Sequence, residues 1–556
     1  MARKANKTVA KQASKKVAKE SAKRAGKDAA KKVAKQAAAK RPAPKVASKA
    51  ARKATAPSAA TKGTAKSQPA ARLFGTDGVR DVAGRGSLTP ENILALGRAL
   101  GRHLADTSLE DRRPQVLVGV DPRPSADLVG TTLAAGLVAE NCDVHWPGMM
   151  STPEVAFLTG HGPFAAGVSI TASHNPSIDN GIKMFGSDGR KLPENIERKL
   201  ERQVASGEAS GPAHPRGMRF GWLQLGRERN YEDFIVKTFR KSFVSLKKRR
   251  ISVVFDMAYG ARSIDLQVLS LLAHSLAFGK TVPEYRVGSA LQAGGEAANN
   301  ALDIFFMNAA SPSQPETHHL INVECGSLHP QGCARAVREL GADLGVCFDG
   351  DGDRCLLIDE TGAVRDGDFI LALLAADMKA RGMLKNNTVV TTTMANLGLE
   401  HALHQAGIQL VRTDVGDRNV SDAMAKHGAV LGGEQSGHVI LTDEGHVAGD
   451  GLYTALRVIE VMLDGTASLS KLCGVMRKFP QTIVNVPAPR KPALESLAAL
   501  SVQLAKADSE LAGKGRVNVR YSGTEPLLRI MVEAQDDATV KRVSKALAAA
   551  ASKDLG

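Results

Sequence analysis

The sequence predicts an α/β protein that ends in a smaller α+β domain and begins with a disordered basic tail. Three observations carry this prediction. Charge and composition change sharply near residue 70, strand-like and helix-like runs alternate from residue 72 onward, and the last part of the chain has a different order of elements. A chain of 556 residues has room for three or four domains at roughly 150 residues each.

The tail is defined by its charge. Residues 1–70 hold 21 Lys and Arg against 2 Asp and Glu, a net charge of +19, and because the whole chain carries +17, the rest is nearly neutral at −2. These residues include 23 alanines and no aromatic residue, so they cannot bury enough apolar surface to offset chain entropy. We expect a disordered tail, either simply solvated or binding nucleic acid or another polyanion without sequence specificity.

The remaining composition indicates a compartment. The chain has no apolar run of about 18 residues and no apolar core near its start, so we expect neither a membrane span nor a secretory signal. Its six cysteines show no C-x-x-C spacing, which predicts neither a disulfide framework nor a zinc site. A reducing cytoplasm fits this pattern.

Short apolar runs that lead into polar loops predict the strands of the α/β part, which are Gln115–Asp121, Ala165–Ala172, Ile251–Asp256, Leu344–Phe348 and Val389–Thr393. Stretches with helical spacing, such as ADLVGTTLAAGLVAE at residues 126–140, separate them. Strands that alternate with helices form parallel layers, and ligands bind in the loops at the carboxyl ends of such strands.

The end of the chain predicts a strand, a helix, two strands and a closing helix, at Thr482–Pro487, Pro492–Ala507, Arg516–Arg520, Leu527–Glu533 and Asp537–Ala550. This β-α-β-β-α order is typical of a small α+β domain.

TASHNP, residues 171–176, leaves the carboxyl end of a predicted strand and brings the Ser173 hydroxyl next to the His174 imidazole. On its own, a Ser-His pair in a loop is most often an ordinary turn. The residues after it add Gly181 and the cation Lys183, which favours an anion site.

FDGDGDR, residues 348–354, is more informative. Asp349, Asp351 and Asp353 alternate with glycines, which let the backbone turn tightly enough for three carboxylates to converge. Convergent carboxylates need a cation, and hard oxygen ligands favour Mg²⁺ or Ca²⁺. A calcium EF-hand requires glycine where this loop has Arg354, so we predict Mg²⁺, with the arginine suited to a phosphate. The alternative is an acidic surface turn.

GGEQSGH, residues 432–438, offers Glu434, Ser436 and His438 in a glycine-rich loop. These donors and acceptors suit a polyol such as a sugar, although such a loop is most often only a turn.

RYSGTEP, residues 520–526, combines Arg520 with hydroxyls and backbone N–H groups, which together can form a phosphate cradle, and Arg529 adds charge. The alternative is an ordinary hairpin turn. Taken together, the four loops supply a hydroxyl nucleophile, a divalent metal, a sugar reader and a phosphate cradle. Phosphoryl transfer on a sugar needs these groups.

The four loops, in this order and with FGTDGVR (residues 74–80) before them, resemble the α-D-phosphohexomutase superfamily over nearly all of residues 72–556. The resemblance implies four domains around a central cleft, three similar α/β domains and a C-terminal α+β domain. With the tail they divide the chain into residues 1–70, 71–225 with the serine loop, 226–357 with the metal loop, 358–470 with the sugar loop and 471–556 with the phosphate loop.

The resemblance also implies roles for individual residues. Ser173 would be phosphorylated in the working enzyme, and one Mg²⁺ per subunit would be held by this residue with Asp349, Asp351 and Asp353. The cleft residues that would assist transfer are Arg80, His174, Lys183, Arg354 and His438. The sugar would be read by Glu434 and Ser436. The non-reacting phosphate would be bound by Arg520, Ser522, Gly523, Thr524 and Arg529.

Within the superfamily, the FGTDG start, NLGLE (residues 396–400), VGDR (residues 415–418) and Gln435 resemble the phosphoglucosamine mutase branch, with the phosphomannomutase/phosphoglucomutase branch as the alternative. The branch implies a cytoplasmic isomerase, monomeric or homodimeric, that supplies the synthesis of UDP-N-acetylglucosamine and peptidoglycan. A hexose 1,6-bisphosphate would be its activator. A further alternative is a nucleic-acid-tethered protein that binds through the basic tail.

The chain departs from the family pattern at Asp81 and at Tyr259, and between residues 264 and 320, where it is longer and has no clear period.

Overall fold

The computed structural model describes residues 72–75, 77–107, 113–210, 220–222, 229–245, 250–265, 269, 302–310, 314–442, 446–522 and 526–556. The predicted basic tail lies outside these ranges, as do Gly523, Thr524 and most of the long stretch between residues 264 and 320.

The first sheet is built from the strands β1 (Val79–Val82), β2 (Gln115–Val120), β3 (Asp143–Met149), β4 (Ala166–Ile170), β5 (Asp179–Gly186) and β6 (Phe220–Trp222). Their order is β1-β5-β4-β2-β3-β6, with β5 antiparallel to both of its neighbours. The helices of this part are α1 (Pro90–Thr107), α2 (Ala126–Ala139), α3 (Thr152–His161) and α4 (Glu194–Ala205).

The second sheet is built from β7 (Ile251–Asp256), β8 (Leu302–Met307), β9 (Leu344–Phe348), β10 (Cys355–Asp359) and β11 (Val364–Arg365), in the order β11-β10-β9-β7-β8. Its helices are α5 (Arg229–Ser245) and α6 (Gln331–Leu340). The predicted domain boundary between residues 357 and 358 falls inside β10. Because β10 and β11 pair within this sheet, we place the boundary after Arg365.

The third sheet is built from β12 (Thr388–Thr392), β13 (Gln409–Thr413), β14 (Leu431–Gly433) and β15 (Val439–Leu441), in the order β13-β12-β14-β15. Its helices are α7 (Gly367–Ala380), α8 (Leu397–Gln405), α9 (Asp417–His427), α10 (Gly451–Asp464) and α11 (Leu469–Leu472).

The fourth sheet consists of the antiparallel strands β16 (Gln481–Pro487), β17 (Gly515–Tyr521) and β18 (Leu527–Ala534), with β18 in the centre. Its helices are α12 (Ala498–Leu511) and α13 (Asp537–Leu555). This confirms the predicted α+β order. The first helix begins later than the predicted Pro492, because a short 3₁₀ turn at Leu494–Ser496 precedes it.

The first three sheets repeat one topology. Each contains three parallel strands with the first strand between the second and third, and a fourth strand that returns antiparallel beside the third. The turn between the third and fourth strands carries a predicted motif in every case. TASHNP joins β4 to β5, DGDGDR joins β9 to β10, and EQSGH joins β14 to β15. The repeat confirms three similar α/β units and explains why three motifs occupy equivalent places.

Local sequence accounts for the elements that position these turns. Strands β4 and β9 are buried along their whole length, as expected of strands covered on both faces. Asn396, Asp450 and Asp536 cap α8, α10 and α13, each accepting a backbone N–H of the first turn. Among the described helices, none is long and apolar enough to cross a membrane.

Candidate active site

The serine loop and the metal loop meet at Ser173. This side chain is buried, and its Oγ donates a hydrogen bond of 2.7 Å to Asp349 Oδ2. The neighbouring His174 places Nδ1 at 3.4 Å from the same Oγ. Ser173 has a left-handed backbone with φ of +52°, a conformation that costs a non-glycine residue about 1–3 kcal/mol. The surrounding contacts must therefore hold the serine in place.

Arg123 provides most of that hold. Its buried guanidinium pairs with Asp121 at 2.9 Å between Nε and Oδ2. The two terminal nitrogens donate to the backbone carbonyls of the serine loop, at Ser173, Asn175, Pro176 and Asp179. One guanidinium thus donates charge-assisted hydrogen bonds to four backbone carbonyls and fixes the path of the loop.

Two further side chains, Thr171 and Asn322, complete the support. The Thr171 hydroxyl donates to Asp121 Oδ2 at 2.6 Å and accepts the Ser173 N–H at 2.8 Å. Asn322 Nδ2 donates to the Ser173 carbonyl at 2.9 Å. A Cβ on Gly350 would lie 2.7 Å from this carbonyl, so only glycine lets the metal loop approach the serine loop this closely.

The carboxylates of Asp349, Asp351 and Asp353 converge as predicted. One oxygen from each lies within 4.8 Å of the others, and all three side chains are buried. Oδ1 of Asp351 and Oδ1 of Asp353 are buried and have no hydrogen-bond partner in the described part of the chain. Buried carboxylate oxygens without donors are costly unless a cation binds them. The donor set therefore fits a hard divalent metal.

Burial and charge repulsion within this cluster shift the pKa values of its carboxyls. Burial and the charges of Asp353 and Asp351 raise the pKa of Asp349 well above its usual range. Burial also opposes ionisation of Asp353, but Lys183 and His438 hold the pKa of this carboxyl well below its usual range. The cluster therefore needs positive charge from its surroundings.

Lys183 supplies part of that charge. Its Nζ lies 2.8 Å from Asp351 Oδ2, 2.8 Å from Asp353 Oδ2 and 3.4 Å from Asp77 Oδ2. Burial favours the neutral amine, but these carboxylates outweigh burial and hold the pKa of Lys183 well above its usual range. The lysine is thus a fixed cation beside the metal loop.

A second cation links Asp77 to the third α/β unit. Lys191 pairs with Asp77 and lies 2.5 Å from Asp417 Oδ2. The imidazole of His438 lies 3.9 Å from Asp417 and 3.6 Å from Asp353. Although burial opposes it, Asp353 raises the pKa of His438 to about 9. Together with the lysine described above, these side chains form a closed ring of alternating charge that joins all three α/β units.

Arg354 and His174 face the ring. The Arg354 Nη1 lies 2.9 Å from His174 Nδ1, and its Nε lies 3.9 Å from Asp349 and 3.8 Å from Asp353. Burial and the nearby Arg354 charge lower the pKa of His174 to about 3, so this imidazole is neutral. A cavity of about 160 Å³ is lined by residues from all three motif turns and by Arg80, which pairs with Asp77.

A buried network of hydrogen bonds and an ion pair supports the metal loop. Arg262 donates through Nε and Nη2 to the Gly352 carbonyl, at 3.2 Å each, and pairs with Asp450. Asp450 also accepts the Tyr231 hydroxyl at 2.5 Å and His446 Nε2 at 2.9 Å. Burial opposes ionisation, but Arg262 holds the pKa of Asp450 well below its usual range. This network ties the metal loop to α5 and α10.

The sugar loop places Glu434 at the same cavity. Glu434 accepts the Gly416 N–H at 3.2 Å through Oε1, and Ser436 is exposed. Gly437 has φ of +90°, and a Cβ there would lie 2.2 Å from the Cys355 carbonyl. Glycine is therefore required where this loop packs against β10.

The phosphate loop is described only in part. Arg520 on β17 and Arg529 on β18 are directly paired in the sheet and line a separate cavity of about 280 Å³. Burial and Arg529 lower the pKa of Arg520, while Asp414 and Glu434 oppose them. Ser522 is buried, and its carbonyl accepts Lys491 Nζ at 2.5 Å. Like charges directly opposite on a sheet are unfavourable, so this surface suits an anion.

The structure thus brings Ser173, His174, Lys183, Arg354, His438 and the three aspartates together, with Arg80 and Glu434 at the same cleft. Ser436 is exposed on the sugar loop. Gly523 and Thr524 lie outside the described residues, and their predicted roles stay predictions. Several residues that support the site had no predicted role, which are Asp77, Asp121, Arg123, Lys191, Arg262 and Asp417. Two signals were present: Asp77 and Asp417 lie inside quoted motifs, and Arg123 follows the carboxyl end of a predicted strand.

Family models match three parts of the chain. They are phosphoglucomutase/phosphomannomutase alpha/beta/alpha domain I at residues 71–210, alpha/beta/alpha domain III at residues 366–479 and the C-terminal domain at residues 483–550. The phosphoglucosamine mutase of Koribacter versatilis is 39% identical over 88% of this chain and 98% of its own length. That of Symbiobacterium thermophilum is 40% identical over 86% of this chain and 98% of its own length.

Solved structures show the same fold. A phosphoglucomutase/phosphomannomutase family protein from Burkholderia thailandensis matches with a TM-score of 0.67 at 20% identity, over 86% of this chain and 98% of that one. The N-acetylphosphoglucosamine mutase of Aspergillus fumigatus, in complex with GlcNAc-6P and magnesium, matches with a TM-score of 0.56 at 15% identity, over 87% of this chain and 96% of that one.

Proposed function

Because this chain belongs to the α-D-phosphohexomutase superfamily, and within it to the phosphoglucosamine mutases, we propose that it interconverts glucosamine 6-phosphate and glucosamine 1-phosphate. The observation that carries the proposal is the buried Ser173 hydroxyl, 2.7 Å from a carboxylate of the three-aspartate loop. A hydroxyl that can accept and donate a phosphoryl group, next to three convergent carboxylates and a cleft lined with cations, supports this proposal.

The reaction follows from a phosphorylated Ser173. The phosphoryl group passes from Oγ to the hydroxyl oxygen at carbon 1 of glucosamine 6-phosphate, so the Oγ–P bond breaks as the O1–P bond forms. The hydroxyl proton leaves to a basic group of the cleft. The resulting bisphosphate then reorients in the cleft. Its 6-phosphoryl group passes to Oγ, so the O6–P bond breaks as the Oγ–P bond forms, and O6 regains a proton. Glucosamine 1-phosphate remains, and the enzyme is again phosphorylated.

The residues have separate parts in this scheme. Asp349, Asp351 and Asp353 would hold Mg²⁺ together with the phosphoserine, and the metal would neutralise charge on the transferring group. Arg80, Lys183, Arg354 and His438 add fixed positive charge. His174 is a neutral hydrogen-bonding partner, in keeping with its lowered pKa. Preorganised charge of this kind accounts for most of the catalysis in phosphoryl transfer.

Substrate orientation rests on two surfaces that do not react. Glu434 and Ser436 bind the sugar hydroxyls, and the phosphate that stays in place is gripped by Arg520, Ser522, Gly523, Thr524 and Arg529. One phosphate site serves both orientations of the bisphosphate, which explains why it lies on a different sheet from the serine. Closure of the C-terminal unit over the cleft keeps water from the phosphoserine.

A hexose 1,6-bisphosphate serves as activator, because it can phosphorylate a bare Ser173. We place the activity in the cytoplasm, where it supplies the synthesis of UDP-N-acetylglucosamine and peptidoglycan. The six cysteines are buried free thiols, which supports a reducing compartment.

Ser173→Ala tests the proposal. We expect the variant to fold and to lose turnover of glucosamine 1-phosphate and all phosphate on the serine loop, measured by a coupled assay and by mass spectrometry. The matched control is Ser177→Ala in the same loop, which should keep full turnover. Full activity of Ser173→Ala would overturn the proposal.

The tail supports a second proposal. The +19 charge of residues 1–70 favours salt-sensitive, sequence-independent binding to nucleic acid. Binding of a random DNA duplex by the full chain should weaken steeply with salt and disappear when these residues are deleted. Equal binding by the truncated protein would refute it.

A further inference from the structure

Two sequence features that mark the phosphoglucosamine mutase branch, Gln435 and the NLGLE motif, take no direct part in the scheme above. The structure joins them. Gln435 turns away from the cleft and donates from Nε2 to Asp368 Oδ2 at 2.9 Å. The Asn396 backbone N–H, at the start of NLGLE, donates to the same Oδ2 at 2.9 Å. Asp368 therefore links the sugar loop to the beginning of α8.

The chain of hydrogen bonds continues into the C-terminal unit. Asn396 Nδ2 donates to Glu533 Oε1 at 2.8 Å, and Arg516 pairs with the other Glu533 oxygen. The Asn396 side chain also bonds both ways with Phe479, accepting its N–H at 2.9 Å and donating to its carbonyl at 3.0 Å. Phe479 lies in the segment that leads to β16. Asp368, Asn396 and Glu533 are all fully buried.

The far end of this chain lies on the strand that carries the phosphate arginine. Glu533 and Arg529 are four residues apart on β18, so they share one face of the sheet. Opposite them on β17 stand Arg516 and Arg520, in matching register. Glu533 and the phosphate arginines therefore belong to one hydrogen-bonded pair of strands.

The central carboxylate is held at a cost to the fold. Burial and the neighbouring Asp366 raise the pKa of Asp368 to about 7. Its Oδ1 is buried without a hydrogen-bond partner among the described residues. The remaining charged neighbour is Lys478, which pairs with Asp366 rather than with Asp368. A buried carboxylate that is only half satisfied is expensive, which argues for a role beyond stability.

We propose that Asp368 is a positioning residue that couples the sugar loop to the C-terminal sheet, through Gln435 on one side and Asn396 with Glu533 on the other. The coupling fixes the separation between the side chains that read the sugar hydroxyls and the arginines that grip the phosphate. The proposal rests on the function proposed above. It assigns Gln435 to the interior rather than to the substrate.

A double-variant experiment tests the coupling. Gln435→Met removes the donor at one end and Glu533→Gln weakens the other, and Asp368 with Asn396 joins the two side chains. Each single change should raise KM for glucosamine 1-phosphate about fivefold while kcat changes less than about twofold. Because either change breaks the same relay, the double variant should fall at least threefold short of the product of the two effects. Multiplicative effects would overturn the coupling.

Two controls keep the outcome interpretable. Asp377 lies on the same helix as Asp368 but pairs with Arg381 at the surface. The effects of Asp377→Asn and Gln435→Met on KM should therefore combine as a simple product. Wild type and Ser173→Ala are measured in the same assay, so absent wild-type turnover would count against the proposed function and not against the relay.

Hydrogen exchange tests the relay without turnover. Gln435→Met should speed exchange of the Leu397 and Phe479 amides, which bond to Glu533 and Asn396, by about tenfold, with no change in α13. Unchanged protection at both amides would refute the proposal.

Discussion

Arg123→Lys removes the clamp under the catalytic serine while keeping its charge. The guanidinium makes five hydrogen bonds, one to Asp121 and four to backbone carbonyls. An ammonium has three protons, so at least two of the five bonds are lost. At about 1.5–3 kcal/mol for each bond to a charged group, the loss amounts to about 3–6 kcal/mol. That is at least as large as the about 1–3 kcal/mol of strain in the left-handed Ser173 backbone, so the loop should relax.

Two readouts follow from this arithmetic. The urea unfolding midpoint should fall, and kcat should drop at least about a hundredfold, which corresponds to about 2.7 kcal/mol of lost transition-state stabilisation. Arg198→Lys is the matched control, because Arg198 forms an exposed pair with Glu194 and an exposed pair of this kind contributes little to stability. An Arg123→Lys enzyme with wild-type stability and kcat would refute the clamp.

Three further predictions rest on single contacts. Asp351→Asn removes one carboxylate from the metal cluster, so the Mg²⁺ concentration for half-maximal activity should rise at least about tenfold; an unchanged titration would exclude this residue as a ligand. Gly437→Ala forces a Cβ to 2.2 Å from the Cys355 carbonyl and so displaces the sugar loop. KM for the sugar phosphate should therefore rise, while the stability of the rest of the fold stays unchanged. Asp450→Asn removes the carboxylate that pairs with the buried Arg262 guanidinium, and should lower the free energy of unfolding by about 3–5 kcal/mol. Because the pKa of Asp450 is depressed in the folded protein, this deficit should be complete above about pH 4 and shrink below it; a deficit that grows in acid would contradict the ion pair.

The elements that the sequence predicts well are those with local signals. Apolar runs at residues 251–256 and 344–348 match their strands to the residue. The aspartates of the metal loop converge because alternating glycines make a tight turn, which is a property of neighbouring residues. The repeated topology was implied only by family resemblance, since strand order depends on distant pairing that no local pattern specifies.

Long-range partners account for what the sequence missed. Arg123 contacts carbonyls about fifty residues away, at Ser173 and beyond. Lys191 of the first α/β unit pairs with Asp417 of the third. The DPRP stretch at residues 121–124 matches no motif from which the contacts of Arg123 with the serine loop could be predicted. The pairing of β10 and β11 with the second sheet is likewise tertiary, which is why the predicted boundary at residue 357 differs from one drawn after Arg365.

The central claim is that this chain transfers a phosphoryl group on an amino sugar. The most direct measurement compares kcat/KM of the full chain on glucosamine 1-phosphate, glucose 1-phosphate and mannose 1-phosphate, with Mg²⁺ and a hexose 1,6-bisphosphate present. We predict a strong preference for glucosamine 1-phosphate. A preference for either neutral hexose would contradict the assignment to phosphoglucosamine, and no turnover of any of the three would contradict the mutase itself.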